Sequence, residues 1–171
     1  MKAGDLYLET IQRSDDALRR AVAGLSTDEL RNQPAGAGSN PIGWLVWHLT
    51  RTRDSFVTGM AGTPTIWEAD GWGEKFGMQG EPPRFAPENV NTFDPKDFET
   101  LMGYFHSVAE KTAEVVRDLD ESDLDRMIES TMPGRPPRSV GARLGIILDD
   151  NIQHVGQIAY LRGLMRGHGW F

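Results

Sequence analysis

Apolar side chains recur at spacings of three, four and seven along most of the chain, the period of one face of an α-helix. In the first segment, from about Ala3 to Gly24, Ile11, Leu18, Val22 and Leu25 draw such a stripe. Gly24 suits the position just past a helix end. A short turn at Ser26-Thr27-Asp28-Glu29 and a Pro/Gly-rich loop from Pro34 to Ser39 follow. The second helix is expected over Ile42 to about Met60, with Asn40 as its N-cap, Pro41 at its first position, and Gly62 and Pro64 stopping it. The third opens at Asp94-Pro95 and runs to about Leu119, burying Leu101, Phe105, Val108, Thr112 and Val115. The fourth is capped by Ser139 and continues to about Met165, before Gly167 and Gly169.

Between these segments the helical period fails twice. Residues 63–93 are rich in Gly and Pro yet carry Trp67, Trp72, Phe76 and Phe85. So many large aromatics argue for an ordered crossover packed on the helical body, serving either as a connection or as a substrate-facing lid. Residues 120–138 form a second irregular stretch ending in Pro133, Gly134, Pro136 and Pro137. Four helices of roughly twenty residues and no strand pattern predict an all-α, four-helix bundle, a single domain over residues 1–171. A crossover of this length can span the bundle, so the second and third helices can run parallel.

Composition narrows the chemistry. The chain has 171 residues, is 39% hydrophobic, and contains no window near the ~20 apolar residues of a membrane span. Residues 1–20 are charged throughout, unlike a secretory signal, which leads to the expectation of a cytoplasmic protein. With no cysteine, disulfides, Cys-based metal sites and a Cys nucleophile are excluded, and any thiol chemistry needs an external thiol. A net charge of −7 argues against nucleic-acid binding, and Arg135, Arg138 and Arg143 read as solvated loop charge.

The candidate chemistry is on the second and fourth helices. On a helical wheel of about 100° per residue, Val140, Leu144, Ile147, Ile158, Leu161 and Met165 share one face. His154 falls in that face, about 20° from Ile147, and Asp150 at its edge, about 60° away. A carboxylate in such a setting needs a cation or a proton. On the second helix, Thr52, Ser55 and Gly59 lie along the direction of His48 and, being small, leave space beside its imidazole. His48, Asp150 and His154 together make a two-imidazole, one-carboxylate set of the kind that binds a divalent ion with positions left for water or substrate. A simple His154–Asp150 pair at i,i+4 is the alternative. His106, off the buried stripe of its helix, and His168, in a Gly-flanked tail, are assigned no site role. Gln157, one turn past His154, and Arg51, one turn past His48, are candidates for the pocket, with an Arg51–Asp54 pairing as the competing reading.

Asn40-Pro41-Ile42-Gly43-Trp44-Leu45-Val46-Trp47-His48-Leu49 resembles the second-helix signature of the DinB-like superfamily. His154-Val155-Gly156-Gln157-Ile158-Ala159-Tyr160-Leu161-Arg162-Gly163 is similar to its fourth-helix signature, in which a ligand His precedes Gly-Gln. The resemblance implies a four-helix bundle with a long crossover between helices 2 and 3, and a metal held by one His of helix two and two ligands spaced i,i+4 on helix four. Many members have His at both helix-four positions; the metal-binding domain of mycothiol-dependent maleylpyruvate isomerase has a carboxylate first, which Asp150 resembles with one methylene less. Zn²⁺ or Ni²⁺, with Fe²⁺ or Mn²⁺ as alternatives, is the implied ion. The implied activity is that of the bacillithiol and mycothiol S-transferases: transfer or isomerisation of an electrophilic substrate with a low-molecular-weight thiol. Metal-dependent hydrolysis is the second reading. A non-catalytic dimerisation module, with an apolar patch from Trp170-Phe171 and the Trp-rich crossover, is the third. A homodimer is expected from the superfamily's habit.

Overall fold

The computed structural model describes residues 2–36, 38–78, 83, 86–130 and 134–168. Its elements are α1 (Ala3–Val22), α2 (Thr27–Arg31), α3 (Ile42–Ala61), α4 (Ile66–Ala69), α5 (Trp72–Lys75), α6 (Pro87–Thr92), α7 (Phe98–Arg117), a 3₁₀ turn (Glu121–Asp125), β1 (Met127–Ile128), β2 (Arg138–Ser139) and α8 (Val140–Arg166). The long helices α1, α3, α7 and α8 form the bundle. Among the described residues the one departure from helical elements is a two-residue antiparallel ribbon, Met127 opposite Ser139 and Ile128 opposite Arg138, too short to leave a period in the sequence.

The contacts fix the helix directions. Gly43 of α3 lies against Pro95 just before α7, and Arg53 of α3 bonds Thr112 of α7, so these two helices run parallel. His48 faces His154 while Gly59 faces Arg143, so α3 and α8 run antiparallel. Arg19 of α1 lies over Phe105 of α7 and Gly4 meets Val116, which makes that pair antiparallel. The parallel pair α3/α7 requires a connection the length of the bundle, and the crossover 63–93 supplies it.

Two helix starts differ from expectation. Pro41 is itself the N-cap of α3, its carbonyl accepting from the Leu45 N–H, so Asn40 is released from capping. Helix α7 begins not at Asp94-Pro95 but at Phe98, capped by Asp97 Oδ1, which accepts from the Thr100 N–H at 2.7 Å. Lys96 adopts φ 67°, which a helix cannot continue, and Asp94 instead takes the Arg31 guanidinium at 2.6 Å. Ser139 caps α8 as expected, and Gly167 closes it with φ 75°.

The interior consists of two apolar clusters. One gathers Leu18, Trp44, Trp47, Leu101, Phe105 and Ile158; the other gathers Tyr7, Ile11, Val57, Val115 and Ile147. Charged and polar side chains are buried alongside them: Arg53 Nη1 binds Asp15 Oδ1 at 2.7 Å, Arg53 Nε binds Thr112 Oγ1 at 2.7 Å, and Asn151 of α8 is 1% exposed. Burial raises the Asp15 pKa by more than Arg53 lowers it. Removing either partner strands the other charge, a loss on the order of 3–5 kcal/mol.

The described part of the crossover, residues 63–78, 83 and 86–93, packs against the bundle through its aromatic side chains. Trp67, Trp72 and Phe76 are buried in the first cluster rather than forming the apolar surface patch considered above. Trp170 and Phe171, also named for that patch, and Phe85 of the crossover lie outside the described residues. Asp54 of α3, fully buried, holds the crossover by accepting from the Ile66 and Trp67 N–H groups at 2.8 and 3.0 Å, from the Tyr104 hydroxyl at 2.7 Å, and from Arg51 at 3.2 Å. Gly103 completes the fit, because a Cβ there would stand 2.9 Å from the Trp72 ring. No helix among the described residues is long and apolar enough to cross a membrane.

Candidate metal centre

His48, at mid-length of α3, and Asp150 and His154, one turn apart on α8, face one another across the antiparallel α3/α8 seam. Their ring and carboxylate ligand atoms all lie within 4.8 Å of one another. The Asp150 Oδ1 atom is 3.6 Å from His48 Nε2 and 3.4 Å from His154 Nε2, and the two rings meet edge-on with centroids 4.8 Å apart. Each side chain is about one-fifth exposed: 19%, 20% and 18%.

These separations are long for hydrogen bonds, whose usual range is about 2.7–3.2 Å. They are close to the edge of a coordination tetrahedron, ~3.4 Å for ligand bonds of ~2.1 Å. A second observation points the same way. The other carboxylate oxygen, Asp150 Oδ2, is buried and has no hydrogen-bond partner among the described residues. A buried acceptor in that state carries a desolvation cost that a cation would remove. The donor set, two imidazoles and a carboxylate, suits a borderline divalent ion. The three residues therefore fit a metal.

Electrostatics has already ionised the carboxylate. Burial pushes the Asp150 pKa up, but the neighbouring His154 and His48 imidazoles outweigh it and take it down to about 2. Burial pushes His154 the other way, and Asp150 and Gln157 together raise it above its ordinary value. Gln157 is thus not a wall of the pocket but a partner of the ring: its Oε1 lies 2.8 Å from His154 Nδ1. With that oxygen as acceptor, Nδ1 carries the hydrogen, and in the neutral imidazole the lone pair is on Nε2, the atom facing Asp150.

A cavity of about 300 Å³ opens beside the imidazoles, lined by Gly38, Asn40, Trp44, Leu45, His48, Ala86, Val90, Asn91 and His154. It extends towards the start of α3, not along Thr52, Ser55 and Gly59 as the wheel suggested. The reason is Arg143, whose Nη1 sits 3.2 Å from where a Gly59 Cβ would be, whose guanidinium lies over Phe56, and whose Nη2 donates to the carbonyls of Ile128 and Glu129. Arg143 is 5% exposed, so it is not part of a surface basic group with Arg135 and Arg138. Arg51 is likewise absent from the cavity lining; it is committed to Asp54 and Tyr104 and lies over Trp67. His106 and His168 are exposed and apart from the site. Reading the sequence missed the outer wall, Gly38, Asn40, Ala86, Val90 and Asn91. They lie in aperiodic segments, and the one available signal, Asn40, was absorbed by its resemblance to an N-cap.

Comparison with known proteins bears on the fold and the family. The chain matches the DinB superfamily over residues 10–158. No match is found among curated proteins. A crystal structure of a conserved protein from Enterococcus faecalis superposes with a TM-score of 0.85 at 24% identity, covering 98% of this chain and 99% of that one, a likeness of fold. This chain belongs to the DinB superfamily.

Proposed function

We propose that this protein is a metal-dependent enzyme in which His48, Asp150 and His154 hold one divalent ion, Zn²⁺ or Ni²⁺ before Fe²⁺ or Mn²⁺, and that it transfers or isomerises an electrophilic substrate with a low-molecular-weight thiol. The observation that carries the reading is the single Asp150 oxygen set 3.4 and 3.6 Å from two imidazole nitrogens at the edge of a small cavity. When bound, such an ion supplies Lewis acidity that lowers the pKa of a thiol or water brought to it.

The chain's own residues do the rest. Gln157 orients His154, and Asp150 balances cationic charge in a seam that is four-fifths buried. Trp44, Leu45 and Val90 give the cavity an apolar wall beside the imidazoles, against which the carbon part of a substrate can pack. The absence of cysteine from the chain leaves no protein thiol to compete for the ion. Hydrolysis is the second reading, because the same ligand set activates water.

The test has two parts. Elemental analysis of protein purified without chelator is expected to find close to one divalent ion per chain. Metal-loaded protein is then assayed against an electrophile such as 1-chloro-2,4-dinitrobenzene with and without an added small thiol. Turnover above the uncatalysed rate that requires the thiol supports the transferase; turnover indifferent to it supports hydrolysis; no metal and no turnover contradicts both.

A further inference from the structure

We propose that the side-chain amide of Asn91 is a specificity-determining donor in the His48/His154 cavity, selecting small ligands that carry an acceptor oxygen, a carbonyl or carboxylate, away from the imidazoles. This deepens the metal-enzyme reading and rests on it for the ligand's other end.

The argument concerns which way two amides face. Gln33 lies beside two oxygens: its Nε2 is 2.7 Å from the Ser39 carbonyl oxygen and 3.0 Å from Asn91 Oδ1. A backbone carbonyl only accepts, so the atom of Gln33 facing Ser39 must be the NH₂ group. That group has two hydrogens, and the second is aimed at Asn91. Asn91 must therefore present its oxygen to Gln33. Its Nδ2 is left as the remaining polar group of a side chain that lines the cavity, with no acceptor among the described residues. This pairing joins the segment before α3 to α6, and Arg31 on Asp94 ties the same regions again nearby. The donor is thus held in place rather than free to rotate.

The surrounding wall sets the rest of the ligand. Trp44, Leu45 and Val90 are apolar, and at about 300 Å³ the cavity is at the lower end of small-molecule pockets. A molecule with a metal-directed group at one end, a short apolar middle and an acceptor oxygen at the other end matches the imidazoles, the apolar wall and the Asn91 amide in turn. An ordinary hydrogen bond of this kind discriminates by about five- to tenfold.

The probes are 4-mercaptobutan-2-one and 3-methylbutane-1-thiol, which have the same heavy-atom skeleton with and without an acceptor oxygen and carry no N–H donor. Both are titrated calorimetrically into zinc-loaded and metal-free protein. Wild type is expected to prefer the ketone about five- to tenfold. Asn91→Asp, which still accepts from Gln33 but has no hydrogen to donate, is expected to abolish or invert the preference, and Asn91→Leu to level it. Gln33→Met, which releases the Asn91 amide, is expected to narrow it. An unchanged preference in Asn91→Asp, equal affinities in wild type, or no binding of either probe overturns the assignment. Failure of the metal reading shows differently: both affinities become indifferent to zinc while the preference between probes survives.

Discussion

Asp150→Asn keeps the side chain's shape and removes the charge on which the site depends. In the metal-free protein, the two imidazoles draw the Asp150 pKa from 3.8 to about 2. A shift of this size corresponds to roughly 2 kcal/mol. Because the folded value is depressed, that stability is present above pH 3.8 and is lost as the pH falls through about 2. Part of it depends on the charge of His154. His154 has a raised pKa, so its share is present below 6.5 and fades as the pH rises through the raised value. At pH 5.5, metal-free Asp150→Asn should therefore melt about 4–8 °C below wild type, given about 2–4 °C per kcal/mol for a chain of this size. At pH 9 the difference should shrink, because His154 no longer carries its charge beside the carboxylate. Zinc at a hundredfold above its Kd should stabilise wild type by about 2.7 kcal/mol, or about 5–11 °C, and Asp150→Asn by much less. Scanning calorimetry at the two pH values, with and without zinc, reads all of this. A variant that matches wild type at pH 5.5 and keeps the full zinc shift would refute both the ion-pair arithmetic and the role of Asp150.

Three further outcomes follow from the same contacts. Gln157→Leu should weaken zinc affinity about 10–100-fold in a competition titration, with an unchanged fold by circular dichroism, because His154 loses the acceptor that sets its tautomer. Zinc binding near pH 6.5 should release protons, since the ion displaces the one that Asp150 and Gln157 hold on His154; calorimetry in buffers of differing ionisation enthalpy should show more release at pH 6 than at pH 8.5. Asp54→Ala should cost about 3 kcal/mol or more by denaturant titration and red-shift tryptophan emission, as it strands the Ile66 and Trp67 N–H groups and frees the crossover from α3.

The bundle was legible because its helices bury stripes at constant period and end at residues with local reasons to end them, such as Ser139 and Gly167. The pairing of Asp150 with His154 was legible for the same reason, being one turn on one helix, and His48 joined them through its place on a neighbouring apolar helix. What escaped depends on long polar side chains reaching between elements far apart in sequence. Asp54 holding the crossover, Arg53 crossing to Asp15, Arg143 filling the space at Gly59, and Gln33 turning Asn91 leave no periodic trace. Asp94-Pro95 and Asp97-Phe98 offered two chemically similar helix starts, and the left-handed turn at Lys96 decided between them.

The central claim is that one divalent ion binds where α3 and α8 meet. The direct measurement is anomalous diffraction from crystals of zinc-loaded protein at energies on either side of the zinc edge. The account predicts a single strong peak about 2.0–2.2 Å from His48 Nε2, His154 Nε2 and an Asp150 carboxylate oxygen. A peak elsewhere on the molecule, or none at this seam in protein shown to contain the metal, would contradict it.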